Sequence, residues 1–119
     1  MVNKAKKQGT TYETNIVNRL NENNNLKAFR LAEAAANDLG DIKLIVNNDE
    51  YFIEAKFRQN LNIHQSLYKA LQKSDSENTV LFWKKLKMSE GNSRRTTDGL
   101  PETVTMTYEL FVKLLNNAK

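Results

Sequence analysis

Residues 40–57 read GDIKLIVNNDEYFIEAKF. Two alternating runs flank a polar segment, Asn47-Asn48-Asp49-Glu50, a pattern that predicts a β-hairpin. With the turn centred on Asn48-Asp49, Val46 faces Tyr51, Leu44 faces Ile53, Ile42 faces Ala55 and Asp41 faces Lys56. Side chains alternate across a strand, so two faces separate. One takes Ile42, Leu44, Val46, Tyr51, Ile53, Ala55 and Phe57, and is a core face. The other takes Asp41, Lys43, Ile45, Phe52, Glu54 and Lys56. A slip of one residue would set apolar side chains against charged ones, so the pairing is well specified. It gathers Asp41, Glu54 and Lys56 at one end of one face. Such a group is either a cross-strand ion-pair ladder, with Lys43 opposite Glu54 as a further rung, or a metal site with a lysine.

The totals narrow the choice. A chain of 119 residues is expected to form one domain with a single core. Lys and Arg number 18 against 14 Asp and Glu, a net charge of +4, which favours a polyanionic partner. Without cysteine there is no disulfide framework, thiolate zinc site or cysteine nucleophile. The single histidine, His64, excludes histidine-pair metal motifs, and in the first turn of its helix it reads as a surface residue. No GxxxxGK[ST] or GxGxxG loop is present. No apolar run approaches the ~20 residues needed to span a bilayer, and MVNKAKKQG lacks the apolar segment of a signal peptide. A soluble, cytoplasmic protein is expected.

Along the chain, residues 1–9 read as a polar arm carrying Lys4, Lys6 and Lys7, either solvated or touching phosphates. A helix is expected over 10–23, with Thr10 and Glu13 as a capping box and Tyr12, Ile16, Val17 and Leu20 as its apolar stripe. Glu13 then has two readings, a capping side chain or a carboxylate aimed along the core edge toward the hairpin's charged end. Residues 26–38 have high helix propensity, yet the alternation of Phe29 and Leu31 with Ala28 and Arg30 favours a strand near 27–31. A second helix is expected over 61–74, with Asn62 as N-cap, Gln65 near its start, and Ile63, Leu67, Ala70 and Leu71 inward. TVLFWKK at 79–85 reads as a central strand buried on both faces, with Trp83 in the core or at its edge. Residues 87–99 read as an irregular basic loop bearing Arg94 and Arg95. A strand over 102–106 and a helix over 107–117 follow, the helix with an apolar stripe of Tyr108, Phe111, Val112, Leu114 and Leu115. This order predicts a layered α/β domain around a mixed sheet flanked by helices.

The order of elements, Gly40-Asp41-Ile42 heading one strand, Glu54-Ala55-Lys56 ending its partner and Glu13 in the preceding helix resemble the PD-(D/E)XK nuclease superfamily. Within it the pattern is similar to the archaeal- and phage-type Holliday junction resolvases, which begin with a basic-Gly-Ser/Thr-x-x-Glu helix. Here that run is Lys7-Gln8-Gly9-Thr10-Thr11-Tyr12-Glu13. The likeness spans about 7–115 in element order, with Gly40 where the family often has a proline that ligates nothing. The helix over 61–74, with Gln65, also resembles the virus-type replication-repair nuclease branch. The resemblance implies a restriction-endonuclease-like fold, Asp41 and Glu54 as ligands of Mg²⁺ (Mn²⁺ substituting), Lys56 as the catalytic lysine, and Glu13 as a further acid near or on the metal. It implies a metal-dependent endonuclease acting on branched DNA, as a homodimer where paired nicks are made. Lys6, Lys7, Arg58, Arg94 and Arg95 would hold the DNA backbone without reading bases. The alternatives are another nuclease of the superfamily acting on duplexes or ends, a non-catalytic nucleic-acid-binding module, and a basic α/β domain that binds protein.

Overall fold

The hairpin turns two residues tighter than the polar segment suggests. In the computed structural model, which describes residues 4–31, 39–88, 95–96 and 100–118, β2 (Ile42–Val46) and β3 (Asp49–Arg58) are joined by Asn47 and Asn48 alone. Both have positive φ, 51° and 72°. That is the backbone of a two-residue hairpin turn whose twist matches the strands, and asparagine tolerates it better than most residues. The observed pairs are therefore Ile42 with Ile53, Leu44 with Tyr51 and Val46 with Asp49. A shift of two residues leaves each side chain on its predicted face while changing its partner. Asp41, one residue before β2, now falls opposite Glu54 instead of Lys56.

The remaining strands complete a five-stranded mixed sheet. β1 (Leu26–Arg30) pairs antiparallel with β2, and β3 pairs parallel with β4 (Thr79–Lys85). β5 (Lys87–Met88) and β6 (Arg95–Thr96) form a separate antiparallel pair where an irregular loop is expected. Residues 89–94 and 97–99 of that stretch, with Arg94, lie outside the described residues, as do 32–38. β7 (Glu102–Thr105) pairs antiparallel with β4 and closes the order β1-β2-β3-β4-β7.

Helices cover both faces. α1 (Lys4–Asn21) packs on β1 and β3. Its Tyr12 and Ile16 join Ala28, Ile42, Tyr51, Ile53 and Val80 in one buried cluster. α3 (Tyr108–Asn117) adds Leu110 to the same cluster. On the opposite face, α2 (Ile63–Ser74) makes the parallel crossover from β3 to β4. It buries Leu67, Ala70 and Ser74, and Ser74 Oγ lies 2.6 Å from Thr79 Oγ1 at the start of β4. The Asn62 cap holds as expected, its side chain accepting from the Gln65 N–H. With helices on both sides, β3 reads as a run of buried residues from Tyr51 to Glu54.

Besides Ile63, expected inward but exposed at the start of α2, two helix readings need correction. α1 begins at Lys4, so Thr10 lies within the helix and cannot be its N-cap; Lys-Ala-Lys-Lys-Gln is strong helix-forming sequence and carries the helix back through Gly9. Residues 4–9 of the expected arm are thus helical. In α3 the buried side is Leu110, with Leu114 packed beside it, while Tyr108, Phe111 and Leu115 are exposed. A short helix with apolar residues on two strips seats only one of them on a sheet. No helix among the described residues is long and apolar enough to cross a membrane.

Candidate active site

Asp41 reaches the end of β3 because of the residue before it. Gly40 has φ 138° and is buried, and a Cβ there would lie 3.6 Å from the Ile53 carbonyl oxygen. This conformation is open to glycine and closed to proline, whose ring holds φ near about −65°. The Gly40 position is therefore not interchangeable with proline in this chain. Asp41 is then tied twice to β3: its N–H donates to the Ile53 carbonyl at 3.2 Å, and its Oδ2 accepts from the Ala55 N–H at 2.9 Å.

Glu54 is the unusual member of the group. It is 8% exposed, which rules out the surface ladder, and its Oε2 is buried without a hydrogen-bond partner. Lys56 Nζ stands 3.9 Å from Oε1 and Lys73 Nζ, from α2, 3.7 Å from Oε2. Burial pushes the Glu54 carboxyl up to about 7; the Asp41 charge adds to the rise, and Lys73 and Lys56 oppose it. Lys43 takes no part, since it faces Phe52 and pairs with Glu50 at 3.1 Å.

The four predicted site residues line one cleft of about 560 Å³ at the end of the sheet. Glu13 and Gly9 come from α1, Asp41 from the entry to β2, and Glu54, Lys56 and Arg58 from β3. Glu13 enters from the α1 side and is held by Arg30, whose Nε donates to its Oε1 at 3.2 Å. Among the described residues no three His, Cys, Asp or Glu side chains converge to hold a metal, so Glu13 does not complete a three-carboxylate set. The donors that could hold one are Asp41 and Glu54. Two facing carboxylates, one with an orphaned buried oxygen, suit a hard cation, and Mg²⁺ characteristically takes one or two carboxylates and fills its shell with water and phosphate oxygen.

Of the expected backbone contacts, Arg58 is exposed at the cleft mouth. Lys7 is exposed on α1, lining a different cavity of about 680 Å³ with Tyr12, Arg19, Phe57, Lys84 and Glu102. Lys6 and Arg95 belong to α1 and β6. Lys69 and Lys73 of α2 are additions, and with Ser66 they face the same end of β3. Their signal was the spacing: 66, 69 and 73 recur on one helix face, and a parallel β-α-β crossover lays that helix over its first strand. The chain matches no protein-family model, and no curated protein shows significant similarity to it.

Proposed function

We propose that this chain is a divalent-metal-dependent endonuclease of the PD-(D/E)XK type that hydrolyses DNA phosphodiesters at branched DNA, with four-way junctions as the favoured substrate. The observation that carries the reading is the pair Asp41 and Glu54, set opposite each other at a cleft with Lys56 two residues along the same strand face. A buried carboxylate beside another carboxylate is costly unless a cation offsets it, and an open cleft is where such a cost serves chemistry.

In this reading Asp41 and Glu54 are the residues that would hold Mg²⁺, or Mn²⁺ in its stead. When bound there, the ion would supply Lewis-acid polarisation of a phosphoryl oxygen and offset charge on the leaving oxygen. Lys56 orients the attacking water and stabilises negative charge building on the phosphate. Asp41 keeps its place through the Ala55 N–H, so the ligand geometry is set by the backbone. Glu13, held by Arg30, stands at the cleft edge and orders water or the approaching strand. Arg58 and Lys7 steer the backbone by charge without reading sequence. Paired nicks across a junction require two sites, which a symmetric dimer supplies. The exposed Tyr108, Phe111 and Leu115 of α3 are apolar surface for a second copy.

The test compares cleavage of a four-way junction, a flap and a linear duplex in Mg²⁺ and Mn²⁺, with light scattering for the assembly. Glu54→Ala and Lys56→Ala abolish cutting and retain DNA binding if the reading is right. Should both variants cut as well as the parent, the catalytic assignment is wrong. Cutting of linear duplex or flap in preference to the junction moves the substrate to another branch of the superfamily.

A further inference from the structure

On the α2 side of Glu54 the structure has a second cavity, of about 360 Å³, lined by Glu54, Lys56, Arg58, Ser66, Lys69, Ala70 and Lys73. Two periodicities build it. Glu54, Lys56 and Arg58 alternate along one face of β3, and Ser66, Lys69 and Lys73 recur along one face of α2. Four cations thus meet around one space with a single carboxylate among them. Lys56 and Lys73 flank that carboxylate, while among the described residues no carboxylate pairs with Arg58 or Lys69. Like charges brought together in this way repel unless an anion is held between them. Small, buried Ala70 leaves the space open, and the Ser66 hydroxyl adds a neutral donor.

We propose that this cavity is a phosphate subsite, which takes the phosphate neighbouring the one that is cleaved. The identification of its ligand as part of a nucleic-acid strand rests on the nuclease reading. The cavity shares Glu54, Lys56 and Arg58 with the cleft, so an anion in it lies beside whatever occupies the carboxylate pair. A multiply bonding oxyanion matches three ammonium groups, a guanidinium and a hydroxyl better than a single carboxylate does. The bound strand then runs across the end of the sheet, from the α1 side of the cleft to α2. The phosphate is either an internal diester or a terminal monoester.

Lys69 is exposed and, unlike Lys56, belongs to no catalytic assignment, so Lys69→Ala isolates the subsite. The measurement is duplex binding by the 119-residue chain in EDTA across a salt series, with Lys27→Ala on the far edge strand as control. Lys69→Ala weakens binding by roughly three- to tenfold, equally for unrelated sequences, and lowers the salt slope by about one. Lys27→Ala leaves the slope unchanged. Inorganic phosphate raises the melting temperature of the parent and fails to raise that of Lys69→Ala. A 5′-phosphorylated strand that binds the parent more tightly than its 5′-hydroxyl form, with the gain lost in Lys69→Ala, assigns a terminal monoester; equal binding of the two, with the Lys69→Ala loss present, assigns an internal diester. An unchanged salt slope together with an unchanged phosphate response in Lys69→Ala overturns the subsite. These readouts need no cleavage, so an inactive parent with a Lys69-dependent phosphate response would remove the nuclease reading and leave the subsite standing.

Discussion

Glu54 carries an acid-base signature that can be measured without substrate. Its carboxyl moves from 4.5 to about 7, with burial the largest cause. Below 4.5 the group is protonated in both the folded and unfolded chain, and its contribution to stability is complete. As pH rises through 7, the folded chain must ionise a buried acid that the unfolded chain ionised earlier, and up to about 3 kcal/mol of stability is lost. Denaturant melts of the metal-free protein should therefore show a fall in stability between pH 4.5 and pH 7 that Glu54→Gln flattens. Added Mg²⁺ should restore stability at pH 8 in the parent and not in that variant. Gly40 makes a second test at this scale. At φ 138°, any side chain is strained whatever room surrounds it. Gly40→Ala should lower stability by about 1–3 kcal/mol in urea unfolding; under the proposed nuclease function it should also reduce cleavage further than the stability loss explains, because Asp41 moves with it.

At the scale of elements, the hairpin and the first helix each hold a prediction. Asn47 and Asn48 both sit at positive φ, so Asn48→Gly should be neutral or stabilising by up to about 1 kcal/mol, whereas Asn48→Val should destabilise by at least about 1 kcal/mol. Thermal melts of the pair check the sign. Gly9 is interior to α1, and a Cβ there meets no atom within 4 Å. Gly9→Ala should thus raise stability by about 0.5–1 kcal/mol, while its place on the wall of the cleft makes the cleavage rate, under the proposed nuclease function, the informative second measurement. The helix propensity of 4–8 was readable in the chain, but Thr10 and Glu13 imitate a start signal so closely that the earlier residues look like a tail. The asparagine pair was equally visible; a four-residue polar segment allows two turn positions, and only the twist of the paired strands chooses between them.

The whole molecule is held together at its outer corner by a contact between residues 90 positions apart. The Tyr12 hydroxyl donates to Glu102 Oε2 at 2.5 Å, and Arg19 grips the same carboxylate with two bonds of 2.7 and 2.8 Å. The Arg19 hydrogen bonds draw the Glu102 carboxyl below its ordinary value, and burial with the Glu102 bond drives the Tyr12 phenol far up, so the two meet as anion and neutral donor. This latch joins α1 to β7, the edge strand far from β1. Tyr12→Phe keeps the ring against Phe57 and removes the donor, and should cost about 1–2 kcal/mol. Chemical denaturation with an unchanged m-value checks it.

Alternation, helical spacing and turn residues are local properties. By themselves they determined which face of β2 and β3 each side chain takes, a strand near 27–31 that the structure sets at 26–30, the Asn62-capped helix, the strand over 79–85 and the α/β class with its mixed sheet. They also brought Asp41, Glu54 and Lys56 to one end of one face, since the face assignment survives a two-residue change of register. Only the tertiary structure decided what each of them meets. The turn set Asp41 against Glu54, the crossover helix buried Glu54 and delivered Lys69 and Lys73, and Arg30 took Glu13. Burial and long-range pairing depend on how separate elements pack, and no stretch of sequence contains that information alone. For the same reason, which strip of α3 faces inward was settled by the sheet beneath it and not by the helix.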